Sequence, residues 1–152
     1  MDDLEGHLPF VDEHARAIGA GRERTWAALL EVLSRAFGGA SAKGFARLVG
    51  CDALESSGTF PQDGSAIVGF RPSRVEAPRE LALVGRHRFA EYALVFRLDA
   101  LDGVQRTRLR ATTRAAFPGA AGRAYRFAVL GTRGHALAVR RLLSAVANRA
   151  ER

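Results

Sequence analysis

The last third of the chain carries a long helical pattern that limits what the rest can form. After the turn signal Phe117-Pro118-Gly119, small and apolar residues recur every three or four positions as far as Arg149. This spacing places them on one stripe of a helix, with arginines mostly on the other side. A helix of about 30 residues would be about 45 Å long. Such a stripe needs a large apolar surface to cover it.

The size and composition of the chain predict one ordinary globular domain. Its 152 residues are long enough for a single core, so we expect one domain over 1–152, with residues 1–7 as a loose lead-in. No apolar run is long enough for a membrane span, and the acidic start lacks the layout of a signal peptide. A cytoplasmic location is therefore expected. The single cysteine, Cys51, excludes an internal disulfide and is interpreted as a small buried residue.

The positive charge comes almost entirely from arginine. The net charge is +7, and Lys43 is the only lysine. The arginines are spread over the predicted strands and helices, without the interleaved aromatic residues that stack on bases. Nucleic-acid binding is therefore not expected.

The segments before the long helix predict a strand, two short helices and an antiparallel run of strands, which is an α+β fold. Gly50 is expected to cap the second helix, Pro72 to mark an edge or a bulge, and Asp102-Gly103 to form a hairpin turn. The strand is expected within Leu8–Ile18, the helices over Arg22–Leu33 and Ala42–Val49, and four further β segments over Ile67–Val75, Leu81–Phe89, Glu91–Leu98 and Val104–Phe117.

Alternation along the last strand indicates which face is buried. Four arginines on one side cannot share a buried face cheaply, so the other side turns inward. The same reasoning applied to the two preceding strands places Glu91 and Asp99 outward, where they can pair with the arginines. The predicted inward residues are Leu81, Leu83, Gly85, His87 and Phe89, then Tyr92, Leu94, Phe96 and Leu98, then Thr107, Leu109, Ala111, Thr113, Ala115 and Phe117.

Many of these inward residues are small or polar, and so is the helix stripe expected to cover them. That stripe includes Ala128 and Thr132, with Tyr125 and His135 beside it. Two such faces either approach very closely or leave a space between them. Ligand pockets are lined in this way, mostly by apolar side chains with a few polar groups.

Candidate chemical groups on these faces each have a purely structural alternative. His87 could hydrogen-bond a ligand, act as an acid or base, or be a satisfied core histidine. Tyr92 and Tyr125 could offer hydroxyls to a ligand or simply pack as aromatic residues. His135 follows two helix glycines, which cost about 1 kcal/mol each and predict a kink or a close approach. The histidines lack metal-ligand spacing, so neither a metal nor another cofactor is expected.

The order of elements resembles the SRPBCC superfamily, the START-like or Bet v 1-like helix-grip fold. Three stretches carry the resemblance: HARAIGAGRERTWAALL, LVGRHRFAEYALVFRLD and TRLRATTRAAFPGAAGRAYRFAVLGTRGHALAVRRLL. It covers about His14 to Val146. The chain departs from the pattern at Gly19-Ala20-Gly21, where many members have Ala-Pro. It also has five clear strands where the family has six or seven, so we expect a further strand within Cys51–Thr59, around residues 53–55.

The resemblance implies a curved antiparallel sheet wrapped around a long C-terminal helix, with two short helices after the first strand. It also implies an internal cavity between sheet and helix that takes a small hydrophobic or amphipathic molecule. We expect the cavity to be lined by His87, Phe89, Tyr92, Leu94, Phe96, Thr107, Leu109, Ala111, Thr113, Tyr125, Ala128, Thr132 and His135.

Three functions are consistent with this pattern. The first is a bacterial small-molecule-binding protein, for a hydrophobic, aromatic or lipid-like ligand. The second is an enzyme of the polyketide cyclase or aromatase type, in which His87 or Tyr92 would be catalytic. The third is a structural or protein-interaction domain, as a homodimer, whose cavity is filled by side chains. The sequence does not decide whether there is catalysis, nor does it name the ligand.

Overall fold

The computed structural model describes residues 5–52, 56–62, 64–101, 105–131 and 133–152. Within these ranges the chain has the predicted α+β architecture, a helix grip. A 3₁₀ turn at Glu5–His7 precedes the first strand. The strands and α-helices are β1 (Phe10–Ile18), α1 (Arg22–Ala36), α2 (Ala40–Val49), β2 (Arg71–Glu76), β3 (Glu80–His87), β4 (Ala90–Leu101), β5 (Arg106–Ala116), α3 (Gly119–Arg126) and α4 (Gly134–Ala150).

Two of the predicted secondary-structure features fall on residues that the structure does not describe. The hairpin turn at Asp102-Gly103 is one of them, and the centre of the further strand expected around 53–55 is the other. Beside the latter, Ser57 pairs with Ala66 in an isolated bridge outside the sheet. The described part of the sheet therefore has the five strands that the sequence made clear.

The strands form one antiparallel sheet in the order β1-β5-β4-β3-β2, so β1 and β2 are its edges. The predicted faces are confirmed: Leu109 and Ala111 are fully buried, and Arg110 lies opposite, where it donates to Asp99 Oδ2 at 2.8 Å. Pro72 lies on the edge strand beside a register shift. Proline is tolerated at such a place because the sheet loses no interior N–H.

The helices α1 and α2 follow β1 directly, as predicted. One face of α1 buries Trp26, Leu29 and Leu33 in the main core. The second helix ends at Gly50, whose φ of 72° is left-handed. Glycine adopts this conformation without a Cβ penalty, so the predicted C-terminal cap is confirmed.

The C-terminal helix predicted after the turn Phe117-Pro118-Gly119 and as far as Arg149 is present, but it is interrupted near its middle. After α3 the backbone winds into a π-helix over Phe127–Gly131, and Arg133 has a left-handed φ of 62°. The longer part, α4, starts at Gly134. The interruption lies at the two glycines that predicted a kink, because glycine weakens a helix interior. The C-terminal helix is therefore divided into two segments, α3 and α4.

The inner face of the sheet has two ends that are covered differently. At the packed end, formed by Phe96, Leu98 and Leu109, every side chain is at most 1% exposed. It belongs to one core with Leu29 and Leu33 of α1 and with Leu143 and Val146 of α4. The cavity end, formed by His87, Tyr92 and Leu94, lies towards α2, α3 and the start of α4.

Candidate ligand-binding cavity

A cavity of about 720 Å³ lies at the cavity end of the sheet, between α2 and the α3–α4 wall. Pockets of this size hold drug-sized organic molecules. Solvent reaches it where the exposed residues Phe45, Ala138 and Arg141 form part of its wall. Its apolar walls come mainly from Val32, Phe37, Ala42, Phe45, Ala46, Val68, Phe70, Leu94, Val129, Ala138, Val139 and Leu142.

His87, at the end of β3, lines the cavity with a defined tautomer. The backbone N–H of Phe89 donates to His87 Nδ1 at 3.0 Å. A nitrogen that accepts carries no proton, so the neutral ring has its proton on Nε2. Burial lowers the pKa of His87 and so favours this neutral form. No described residue accepts from Nε2, which leaves this N–H as a donor at the cavity wall.

Tyr92 is held in place by the turn beneath it. Its hydroxyl donates to the Gly69 carbonyl at 2.6 Å. Gly85, the partner of Tyr92 across the β3–β4 ladder, makes room for this arrangement. A Cβ on Gly85 would lie 2.1 Å from the Gly69 oxygen and 2.3 Å from Tyr92 Cε2. The absence of a side chain at Gly85 therefore lets the ring and the turn approach the sheet.

Tyr125 of α3 closes the cavity against the β3–β4 hairpin. Its ring stacks on Phe89 at 5.5 Å between centroids and meets His87 edge-on at 4.8 Å. Its hydroxyl has no hydrogen-bond partner among the described residues. Burial, with a smaller contribution from Cys51, raises the pKa of Tyr125 and keeps the hydroxyl protonated. Tyr125 therefore offers a second polar group to the cavity.

Cys51 is buried, as predicted, and lies beside Tyr92. Its Sγ is 3.8 Å from Tyr92 Oη. Burial raises the pKa of the thiol, and the Tyr92 hydrogen bond opposes that rise only in part. A protonated thiol is a poor nucleophile, so this environment agrees with the interpretation of Cys51 as a small buried residue.

His135 lies in the first turn of α4 and is anchored to the sheet. Its Nε2 is 3.0 Å from Thr113 Oγ1 and 3.4 Å from Asp12 Oδ1. The other carboxylate oxygen of Asp12 is 3.2 Å from His14 Nε2. His135 therefore has polar partners that His87 Nε2 lacks, and its contacts attach the start of α4 to β1 and β5.

Only some of the predicted lining residues line the main cavity. His87, Tyr92, Leu94, Tyr125 and His135 line the main cavity. Thr113 lines a smaller adjoining space of about 160 Å³, and Phe89 lies behind Tyr125.

The remaining predicted residues lie elsewhere. Phe96, Leu109 and Ala111 are core residues of the packed end, and Thr107 is a buried threonine whose hydroxyl donates to the Ala20 carbonyl at 2.8 Å. Ala128 is exposed on the π-helical segment and is not part of the cavity wall. Thr132 lies outside the described residues.

Sequence reasoning missed the wall that α2 and the following turn supply. Ala42, Phe45 and Ala46 face the cavity from α2, and Val68 and Phe70 face it from the turn. A usable signal was present in α2, whose apolar and small residues recur at helical spacing on one side. The pattern indicates a covered face, but a filled core and an open cavity give the same pattern.

The lining carries little charge and no metal-binding cluster. Among the described residues of the wall there is no Asp or Glu, and Arg141 is the only Arg or Lys. Elsewhere in the described ranges, too, no three His, Cys, Asp or Glu side chains are grouped so that they could hold a metal ion. In the same ranges, no helix combines the length and the apolar character needed to cross a membrane.

Comparison with known proteins identifies the fold. No family model and no curated protein matches the sequence. Among solved structures, the Zhui aromatase/cyclase from Streptomyces sp. R1128 is 20% identical with a TM-score of 0.58, over 96% of this chain and 95% of that one. Protein Mll3558 from Rhizobium loti is 17% identical with a TM-score of 0.57, over 91% and 94%.

A conserved protein from Geobacillus kaustophilus is similar at the same level. It is 15% identical with a TM-score of 0.54, over 91% of both chains. Identities this low indicate a shared fold and nothing finer. By its fold the chain is a helix-grip protein.

Proposed function

We propose that this protein binds a small apolar or aromatic molecule in the cavity beside His87. The observation that carries the proposal is the space of about 720 Å³, which has apolar walls and only a few polar groups. Binding sites for organic ligands have this composition, because apolar area supplies affinity and a few polar groups fix orientation. The third alternative, an interior filled by side chains, would leave no space of this size.

Two polar groups indicate what the ligand should carry. His87 Nε2–H and the Tyr125 hydroxyl both lack partners among the described residues. Both can donate a hydrogen bond to a group that lies in the cavity. A ligand with a carbonyl or hydroxyl oxygen would satisfy them.

A cyclase or aromatase activity is the second candidate, and His87 is the observation that favours it. In the tautomer described, Nε2–H can polarise a carbonyl of a bound ligand as a hydrogen-bond donor, and proton uptake at Nε2 would require the other tautomer, with the hydrogen bond from Phe89 broken. Tyr92 is less suited, because its hydroxyl is bonded to Gly69 and burial strongly raises its pKa. The Zhui aromatase/cyclase shares the fold with this chain.

Titration with the fluorescent apolar probe N-phenyl-1-naphthylamine tests the binding proposal. We expect saturable binding with one site per chain. Ala46→Phe, which puts a ring into the cavity from a residue that is 2% exposed, should weaken binding severalfold. Ala27→Phe makes the same change on the exposed side of α1 and should leave binding unchanged. Absence of saturable binding to the folded protein, or equal effects of the two variants, would contradict the proposal.

His87→Gln separates the two candidates. Glutamine keeps an amide N–H near the position of Nε2 but cannot act as a base at neutral pH. A binding protein should therefore retain probe affinity within a few fold in this variant. An enzyme that uses His87 as acid or base should lose turnover of its substrate while the substrate still binds.

A further inference from the structure

Arg141 is the permanently charged side chain of the cavity wall among the described residues. It shares one face of α4 with Ala138, Leu142 and Ala145, which also line the cavity, at spacings of three, one and four residues. The guanidinium makes no ion pair with a described residue. Arg140, the preceding residue, is also exposed but is not part of the wall. Arg141 therefore forms part of the cavity wall, whereas Arg140 is an ordinary surface arginine.

The surroundings of Arg141 favour an anion. The described wall contains no Asp or Glu, so no carboxylate there would repel one. The chain as a whole carries a net charge of +7. A net positive charge attracts negatively charged ligands to the protein and raises their local concentration.

Desolvation decides where in the cavity an anionic group would lie. At the inner end the polar groups are the neutral His87, the Tyr92 and Tyr125 hydroxyls and the Cys51 thiol. The Nε2 of His135, the other imidazole of the wall, already lies 3.4 Å from Asp12 Oδ1, and this carboxylate disfavours a second anion there. An anion buried there would lose its hydration without gaining an ion pair, which is unfavourable. At the exposed rim, an anion beside Arg141 keeps part of its hydration and gains a cation.

We propose, on the basis of the binding function above, that the ligand is an amphipathic organic acid. Its apolar or aromatic body lies in the cavity, and its acidic group lies at the rim beside the Arg141 guanidinium. A guanidinium presents paired N–H donors in one plane, and these match two oxygens of a carboxylate, sulfonate or phosphate. Arg141 is thus a specificity-determining residue, which separates acids from neutral molecules of the same shape.

A matched pair of probes tests this proposal. N-phenyl-1-naphthylamine is neutral, and 8-anilinonaphthalene-1-sulfonate has the same skeleton with one added sulfonate. Both are titrated into the wild type, Arg141→Gln, Arg141→Lys and Arg140→Gln at low ionic strength, with folding checked by circular dichroism. The measured quantity is the ratio of the two affinities in each protein. A substitution that changes the affinity for both probes by the same factor leaves this ratio unchanged.

We expect Arg141→Gln to lower the affinity for the sulfonate probe about two- to fivefold, as for a partly exposed ion pair. The neutral probe should bind almost unchanged. Arg141→Lys should keep most of the preference, Arg140→Gln should keep all of it, and added salt should reduce the wild-type preference. An unchanged ratio in Arg141→Gln, or an equal drop in Arg140→Gln, would overturn the proposal while neutral binding persists. Failure of the folded protein to bind either probe would instead overturn the binding function itself.

Discussion

The packed end and the cavity end belong to one continuous sheet and share β4, yet only one of them is filled. At the packed end, Leu109 is fully buried in the core that α1 shares with α4. At the cavity end, Leu94 lies on the same face of β4 as Phe96 and belongs to the edge of the same core, but it also lines an open space. Strand composition does not explain this contrast, since both ends carry leucine and an aromatic residue.

The covering helices explain it. Over the packed end α1 supplies Trp26, Leu29 and Leu33, which are large enough to fill the space. Facing the cavity end, α2 supplies the small residues Ala42 and Ala46, while its large residue Phe45 is exposed at the rim. The C-terminal helix is also interrupted before α4 begins. The cavity thus exists because small side chains and a helix break coincide above one part of a continuous sheet.

The largest expected effect comes from the same truncation made at each end. Leu109→Ala should lower the free energy of unfolding by about 3 kcal/mol, because it opens a new void in a filled core. Leu94→Ala should cost about 1–2 kcal/mol, since its side chain already borders a space and mainly the transfer term is lost. Urea denaturation of both variants measures the difference. Equal losses would indicate that the cavity end is filled in solution.

The next largest effect compares two glycine-to-alanine substitutions, which should change the stability of the protein in opposite directions. Gly85→Ala should destabilise the protein by about 1–3 kcal/mol, because its Cβ would overlap the Gly69 carbonyl and the Tyr92 ring. Gly44→Ala, in α2, has no atom within 4 Å of the added Cβ and should stabilise by about 0.5–1 kcal/mol. Thermal unfolding followed by circular dichroism compares them. A neutral Gly85→Ala would mean that Tyr92 and the turn do not pack as described.

The smallest effect is a pH dependence that belongs to His87. Burial lowers its pKa below the ordinary value of 6.5, so the unfolded chain takes up this proton at a higher pH than the folded chain does. The stability linked to His87 is therefore complete above about pH 6.5 and falls as the pH drops towards the folded pKa. His87→Gln lacks this contribution, and the rest of the chain is the same in both proteins. Denaturation at several pH values should show a weaker decline in the variant, and identical declines would contradict the assignment.

The faces of the sheet could be predicted because arginine is costly to bury. The orientation of β5 follows from its four arginines, Arg106, Arg108, Arg110 and Arg114. The alternation of side chains then gives the orientation of the neighbouring strands. The position of the helix interruption was also predictable, since Gly131 and Gly134 weaken a helix there. The left-handed turn at Arg133 was not, because nothing in an arginine indicates that conformation.

The cavity wall could be predicted only in part, because a cavity depends on the distance between elements. The alternation of side chains along the strands correctly placed His87, Tyr92 and Leu94 on the inner face. It placed Leu109 and Ala111 on that face as well. Which of them borders a space depends on α1 and α2, which are remote in sequence. The tautomer of His87 could not be predicted either, because it depends on a hydrogen bond that the backbone N–H of Phe89 donates at the end of a strand.

The central claim is that the cavity end, and not the packed end, binds a small apolar molecule. Two-dimensional NMR during titration with N-phenyl-1-naphthylamine tests it residue by residue. The account predicts shifts for His87, Leu94 and Tyr125, with Leu109 and Phe96 little changed. Saturation without shifts at the cavity end, or shifts centred on the packed end, would contradict it.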